Sequence, residues 1–162
     1  MAGLFLLYSI TEIQAQIPQS SVKNQNSLDP SDAIYNSNTS QSLGSKNLSL
    51  TPYRTTEEHY FEHGILKNVG NVTNNQTFLN TYLSDELLLG RGKGTIETAD
   101  GQNISWIFSD LGRLSGNQWV FYGVMLFNDT HSESLSLLNN GIGLSKSSYP
   151  LMEPEYIWVL EK

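Results

Sequence analysis

From residue 50 onward the chain sets apolar residues at every second position, or in short continuous runs, and separates these runs with Gly, Asn and Asp. A period of two with this punctuation predicts strands of an antiparallel sheet, here over residues 57–66, 77–83, 94–99, 103–109, 118–127, 142–145 and 156–160. Two of these runs say more than the others. Between 94–99 and 103–109 stands Asp100-Gly101, which predicts a hairpin closed by a two-residue type I′ turn. In the second arm Ile104, Trp106 and Phe108 share one face and Asn103, Ser105 and Ser109 the other, so the first three should point inward. Residues 118–127 are apolar on both faces, with Trp119, Phe121, Met125 and Phe127 on one and Val120, Tyr122, Val124 and Leu126 on the other. Such a strand should be covered twice, the outer time by a helix, a terminal segment or another subunit.

The period changes once. Thr130-His-Ser-Glu133 has capping-box spacing, Leu135, Leu137 and Leu138 follow, and Asn140-Gly141 can terminate, so one short helix of about two turns is predicted here. The pattern thus defines an all-β antiparallel fold with one short helix.

Before residue 50 the pattern fails. Residues 17–49 are rich in Ser and Asn, show neither period, and read as a disordered linker that buries too little apolar surface to offset the entropy of ordering. Residues 2–10 are an apolar run too short to span a bilayer and followed by polar residues, so 1–16 read as a signal peptide. The expected organisation is a signal over 1–16, a linker over 17–49 and a β-barrel domain over 50–162, exported from the cell or held at its surface.

Composition narrows the partners. Charged residues are only 15% of the chain, and a net charge of -7 with no Lys/Arg cluster argues against nucleic acid. No segment after Ala15 is apolar enough to span a membrane, so no transmembrane span is expected in the mature chain. Absence of cysteine excludes thiol chemistry and Cys-type zinc sites. Sequons at Asn38, Asn47, Asn71, Asn75, Asn103 and Asn128 fit glycosylation of an exported protein.

Candidate chemistry is sparse. His59 and His63 are four apart, but Tyr60 stands where a metalloprotease helix needs Glu, and they read as the solvated face of a first strand. Gly90-Arg-Gly-Lys-Gly94 has the glycines and charges of a phosphate cradle without the following helix, and reads as a bulge or strand entry. Glu97, Asp100, Asp110, Glu155 and Glu161 are acidic, yet nothing in the sequence pairs any two of them. No metal, cofactor or catalytic set is expected. What stands out is the aromatic load of the last sixty residues. Trp106, Phe108, Trp119, Phe121 and Trp158 are the residues expected nearest a small apolar ligand, if the barrel keeps a cavity rather than a filled core. The rival to such a non-enzymatic binding barrel is an isomerase- or cyclase-like enzyme. That reading calls for an ionisable group such as Glu97 or Tyr122 isolated in the cavity. A third reading, a structural envelope component, calls for a filled core and a large exposed apolar patch.

The runs Gly92-Lys-Gly-Thr-Ile-Glu-Thr-Ala-Asp-Gly-Gln-Asn-Ile-Ser-Trp106, Leu137-Leu-Asn-Asn-Gly141 and Tyr156-Ile-Trp-Val-Leu-Glu161 resemble small uncharacterised secreted β-barrel proteins of archaea and bacteria. The resemblance extends from about Glu57 to the end, and the group is similar to the calycin-type or allene-oxide-cyclase-like barrels, which include plant dirigent proteins. It implies a barrel of about eight strands and a homo-oligomer. No catalytic residue of the cyclases or dirigents falls on a matching motif here, so none is carried over.

Overall fold

The structure, a computed structural model, describes residues 28–150 and 153–160; the expected signal over 1–16 lies outside the described residues. Alternation builds eight strands: β1 (Tyr35–Ser49), β2 (Thr55–Leu66), β3 (Gly70–Ser84), β4 (Leu87–Thr98), β5 (Asn103–Ser115), β6 (Gln118–Phe127), β7 (Ile142–Tyr149) and β8 (Tyr156–Val159). Each pairs antiparallel with the next, and β8 returns to β1 through Tyr35↔Ile157 and Asn36↔Tyr156, giving a closed up-and-down barrel. No helix among the described residues is long and apolar enough to cross a membrane.

Ring closure corrects the expected boundary at residue 50. Residues 35–49, read as linker, are the 15-residue strand β1. Its sequence hides this because Ser40, Ser42, Ser45 and Asn47 take the positions that pair with the inward Glu62, Tyr60, Glu58 and Thr56 of β2. A strand whose inner face is hydroxyl-rich shows no hydrophobic period. Irregular pairing between Ser37/Thr39, Ser42/Gly44 and Asn47/Ser49 disturbs the alternation further. Two other strands also begin earlier than the pattern predicts: β3 at Gly70, across the polar Asn74 and Gln76, and β4 at Leu87.

The expected helix is replaced by consecutive tight turns. Over 133–141 the backbone N–H groups of Ser136, Leu138, Asn139 and Gly141 donate to the carbonyls three residues before them. Side-chain oxygens take over capping: Ser132 Oγ accepts from Leu135 N–H, and Asn139 Oδ1 from Thr130 N–H. Ser and Asn so placed compete with an α-helical ladder. Leu135 and Leu138 still reach the core and are fully buried, so the segment plugs one end of the barrel. The Asp100-Gly101 hairpin exists, but Gly101 (φ 84°) ends a three-residue loop, with its N–H on Thr98 O, and Asp100 keeps negative φ, which a type I′ turn forbids.

At the plugged end, Tyr35, Leu66, Val72, Ile96, Ile104, Trp106, Met125, Phe127 and Ile157 join Leu135 and Leu138 in one core. Rings this large fit inside eight strands because glycines face them. A Cβ on Gly94 would lie 2.5 Å from Asn75 O and 2.7 Å from Trp106 Cε2, and one on Gly92 would lie 2.6 Å from Phe78 Cδ1. The Gly90–Gly94 stretch is therefore regular strand and a seat for rings, neither bulge nor phosphate loop.

A chain starting at residue 50 should be insoluble or lack cooperative unfolding, because loss of β1 leaves the long edge of β2 and the return edge of β8 unpaired. Thermal unfolding followed by circular dichroism checks this, and a cooperative transition near that of the full chain would refute the placement of β1.

Candidate functional site

The other half of the barrel interior is not filled. A cavity of about 520 Å³ lies above the core. Its apolar wall comes from Phe78, Leu88, Phe108, Trp119 and Phe121, and its polar wall from Glu58, Glu62, Gln76, Asp110 and Glu155 with serines of β1 and β7. Register explains the composition. On β5 the inward positions run Ile104, Trp106, Phe108, Asp110, and on β6 Phe127, Met125, Gly123, Phe121, Trp119, so each strand carries apolar groups to the core and reaches the cavity at its other end. On the β1 side the cavity meets a gap. β8 is four residues long and pairs with β1 only at Tyr35 and Asn36, so from Thr39 onward β1 has no hydrogen-bonded strand on that flank among the described residues. Ser40, Ser42 and Ser45 face Ser147 and Tyr149 across this opening, and Arg54 lies at the mouth, its guanidinium 4.2 Å from the Tyr82 ring centre.

Of the five aromatic residues expected at a ligand, Phe108, Trp119 and Phe121 line the cavity. Trp106 lies one layer deeper. It is fully buried, donates from Nε1 to Asn74 Oδ1 (3.1 Å), and touches Phe78 and Phe108 as part of the floor. Trp158 is a correction. Ile157 beside it faces the core, so strand alternation turns Trp158 outward, where the segment before β1 covers it and Asp29 O accepts its Nε1–H at 2.8 Å. Its burial is real but belongs to the outer surface.

The acidic residues are what pattern reading missed. Glu62 and Glu155 are buried side by side, and the Tyr35 hydroxyl donates to Glu62 Oε2 (3.2 Å). Burial pushes both carboxyls above the ordinary range; the Glu62 charge raises Glu155 further, while hydrogen bonding with Glu155, Ser40 and Tyr35 holds Glu62 back, and the Gln76 amide lies near both carboxyls without a hydrogen bond of acceptable geometry. Glu155 is thus the proton holder and Glu62 the acceptor. Asp110 is pushed up to about 6, chiefly by burial. Burial also raises Tyr60, whose hydroxyl donates to Glu58 Oε2 at 2.8 Å. Asp110 Oδ1 and Gln76 Nε2 are buried without a hydrogen-bond partner. Glu97 and Tyr122, the ionisable groups expected for a reactive cavity, both lie on the exposed outer face.

The remaining candidates lie elsewhere. His59 and His63 project outward from β2; His59 contacts Thr77 and Glu57, and His63 packs edge-on against Phe61. Among the described residues no three His, Cys, Asp or Glu side chains cluster to hold a metal. All six sequon asparagines are exposed. A second depression, of about 550 Å³, lies open on the plugged end beside Gln102, Asn103 and Thr130 to Glu133, away from the carboxyls. Comparison with family models, curated proteins and solved structures finds no match.

The raised carboxyls make the stability unusual in pH. Between pH 4 and 6 the folded protein holds a proton on Asp110 that the unfolded chain has released. This contribution is complete below about 4 and lost as pH rises through 6, with Glu62 and Glu155 acting in the same sense. Asp110→Asn should therefore be more stable than the parent at pH 8, by up to about 3 kcal/mol, and the difference should shrink towards pH 4. Urea unfolding at the two pH values tests this; a difference that grows on acidification would contradict the assignment.

Proposed function

We propose that the protein is an exported, non-enzymatic barrel that binds a small molecule with an apolar ring system in its interior. The observation that carries this reading is the 520 Å³ cavity walled by Phe78, Phe108, Trp119 and Phe121, which is ligand-sized and half apolar. A strand wall of fixed register holds the rings in place, so binding needs little reordering. Export is proposed on the apolar run at residues 2–10 and the six exposed sequons. Kinship with calycin-type or allene-oxide-cyclase-like barrels is part of the same proposal and is supported by the strand count.

Titration with pyrene, a neutral ring system smaller than the cavity, should give saturable one-site binding with energy transfer from Trp119. Ser147→Trp, which pushes a ring into the cavity, should weaken it about tenfold if the site is interior. Binding that is absent, or indifferent to this substitution in a protein with unchanged circular dichroism, would remove the reading.

One observation favours a second reading. Asp110, pushed up to about 6, and the proton-holding Glu155 share a cavity with aromatic walls, an arrangement that suits general-acid steering in an isomerase- or cyclase-like barrel. The two differ in outcome: an enzyme converts a bound substrate and stops doing so in Asp110→Asn, whereas a carrier returns its ligand unchanged. The structural envelope reading asks for a filled core and a large exposed apolar patch; the cavity speaks against the first, while exposed apolar residues on β5, β6 and β7 agree with the second.

A homo-oligomer is proposed on the outer face of β5, β6 and β7, where Ile107, Leu111, Tyr122, Val124, Leu126 and Ile142 are exposed. Register brings Ile107, Leu126 and Ile142 together, so the patch is continuous. A second copy is the proposed occupant. Sedimentation velocity should show a species larger than one chain that Leu126→Glu returns to monomer; a monomer at all concentrations would refute this.

A further inference from the structure

The polar wall of the cavity is out of balance. Glu58, Glu62, Asp110 and Glu155 line it, and among the described residues Arg54 is the single basic side chain that does. Arg54 is exposed at the mouth and stacks on Tyr82. The two ion pairs found among the described residues, His59–Glu57 and Lys146–Glu153, lie outside the cavity. Glu62 and Glu155 lie together, and Asp110 lines the same cavity close enough for Glu155 to feel its charge. The other titratable groups facing this space are Tyr35 from β1, bonded to Glu62, Tyr60 from β2, Tyr82 from β3 and Tyr149 from β7.

Acidic residues placed only to close the barrel would have their hydrogen bonds completed by the protein, as Tyr35 completes Glu62. This set is incomplete. Gln76 is 97% buried (3% exposed) and lines the cavity, yet its Nε2 has no partner, and neither has Asp110 Oδ1. One group entering the cavity would satisfy both. An ammonium donates to Asp110 Oδ1, and its charge displaces the proton held by Glu155. The freed Glu155 carboxylate then accepts from the Gln76 amide beside it. The remaining wall also suits a cation, because Phe78, Phe108, Trp119 and Phe121 present rings around the same space.

We infer that the ligand of this cavity is an amine: an apolar or aromatic body against Phe78, Phe108, Trp119 and Phe121, and a protonated basic nitrogen among Asp110, Glu62 and Glu155. This deepens the small-molecule reading above and rests on it. Charge balances in the exchange, since one ammonium enters and one proton leaves.

Three probes of one shape separate the possibilities: tryptamine, its neutral analogue tryptophol, and the anion indole-3-propionate, each titrated calorimetrically into the full chain at pH 7. Tryptamine should bind at least about tenfold more tightly than tryptophol, with indole-3-propionate weakest. Its heat should differ between phosphate and Tris buffers by an amount corresponding to about one proton released. Glu155→Gln should lose that proton release, and Asp110→Asn should bring the tryptamine-to-tryptophol ratio towards one. Tryptophol binding as tightly as tryptamine, or a ratio untouched by Asp110→Asn, would overturn the amine assignment while leaving the small-molecule cavity standing. Pyrene binding with none of the three indoles would do the same. Failure of pyrene and all three indoles would overturn both readings.

Discussion

The sheet closes on itself through two residue pairs, Tyr35↔Ile157 and Asn36↔Tyr156, and most of what is unusual in this interior follows from that short seam. Around it the two chains exchange further backbone bonds: Ser37 N–H donates to Glu155 O (3.0 Å), and Ser37 Oγ accepts from Glu155 N–H (2.7 Å). These bonds fix the Glu155 backbone against β1, and strand parity with Ile157 then leaves its side chain nowhere to point but inward. There it meets Glu62, presented by β2 at a position equally fixed by pairing with Asn74. Neither carboxyl can relax to solvent without breaking the seam. Two acids are thus held together by backbone hydrogen bonds, and a shared proton is the consequence.

The same seam decides where the barrel is solid and where it is hollow. On the plugged side of Tyr35, inward rings are accommodated by glycines on neighbouring strands, and Leu135 and Leu138 complete the packing from the β6–β7 connection. On the far side β8 is absent, β1 continues alone with serines inward, and no large side chain enters from that flank. The cavity is therefore a product of strand length and residue size on one side of the wall rather than of a widened barrel. It also explains why aromatic and acidic groups share it. The aromatic wall belongs to β3, β5 and β6, and on β5 and β6 its rings continue the apolar stripe of the core, while the acidic wall belongs to β2 and the β7–β8 connection, which flank the seam, with Asp110 added at the cavity end of β5.

Legibility in the sequence followed the physical signal available to each element. Residues 103–109 were readable in facing, because Ile104, Trp106 and Phe108 alternate with Asn103, Ser105 and Ser109, although β5 runs on to Ser115 and so carries Asp110 into the cavity; residues 118–127 were readable in span, while two apolar faces left their facing open. For β1 and the first half of β3 no such contrast exists: Ser40 and Ser42, or Asn74 and Gln76, face inward and their polarity resembles that of an outer face. Glu58 and Glu62 were hidden for the same reason. In residues 57–66 one face reads Glu, His, Phe, His, Ile and the other Glu, Tyr, Glu, Gly, Leu, and apolar content does not say which is inside. Trp158 fails in the opposite direction, since an apolar ring on an outer face is buried beside the segment before β1, where it bonds Asp29 O, a contact between residues 129 apart in the chain. The site was therefore half legible: its rings were announced by hydrophobic pattern, its acids by nothing local.

That asymmetry has a physical basis. Hydrophobic alternation reports the average preference of a side chain for the interior, and a carboxyl group in a functional cavity is placed against that preference. Its inward position is imposed by register with neighbours far along the chain, here by β1 on β2 and by the seam on Glu155. The energetic consequence is retained in the folded molecule as raised carboxyl affinities for protons and, of the three buried polar atoms left unpaired among the described residues, as the two that belong to cavity-lining side chains, Gln76 Nε2 and Asp110 Oδ1, the third being Asn74 Nδ2 in the core. A core selected only for stability would remove such features by replacing the acids with apolar groups of similar volume. Their presence beside an open, ring-walled space is the physical ground for proposing a cavity with a chemical preference.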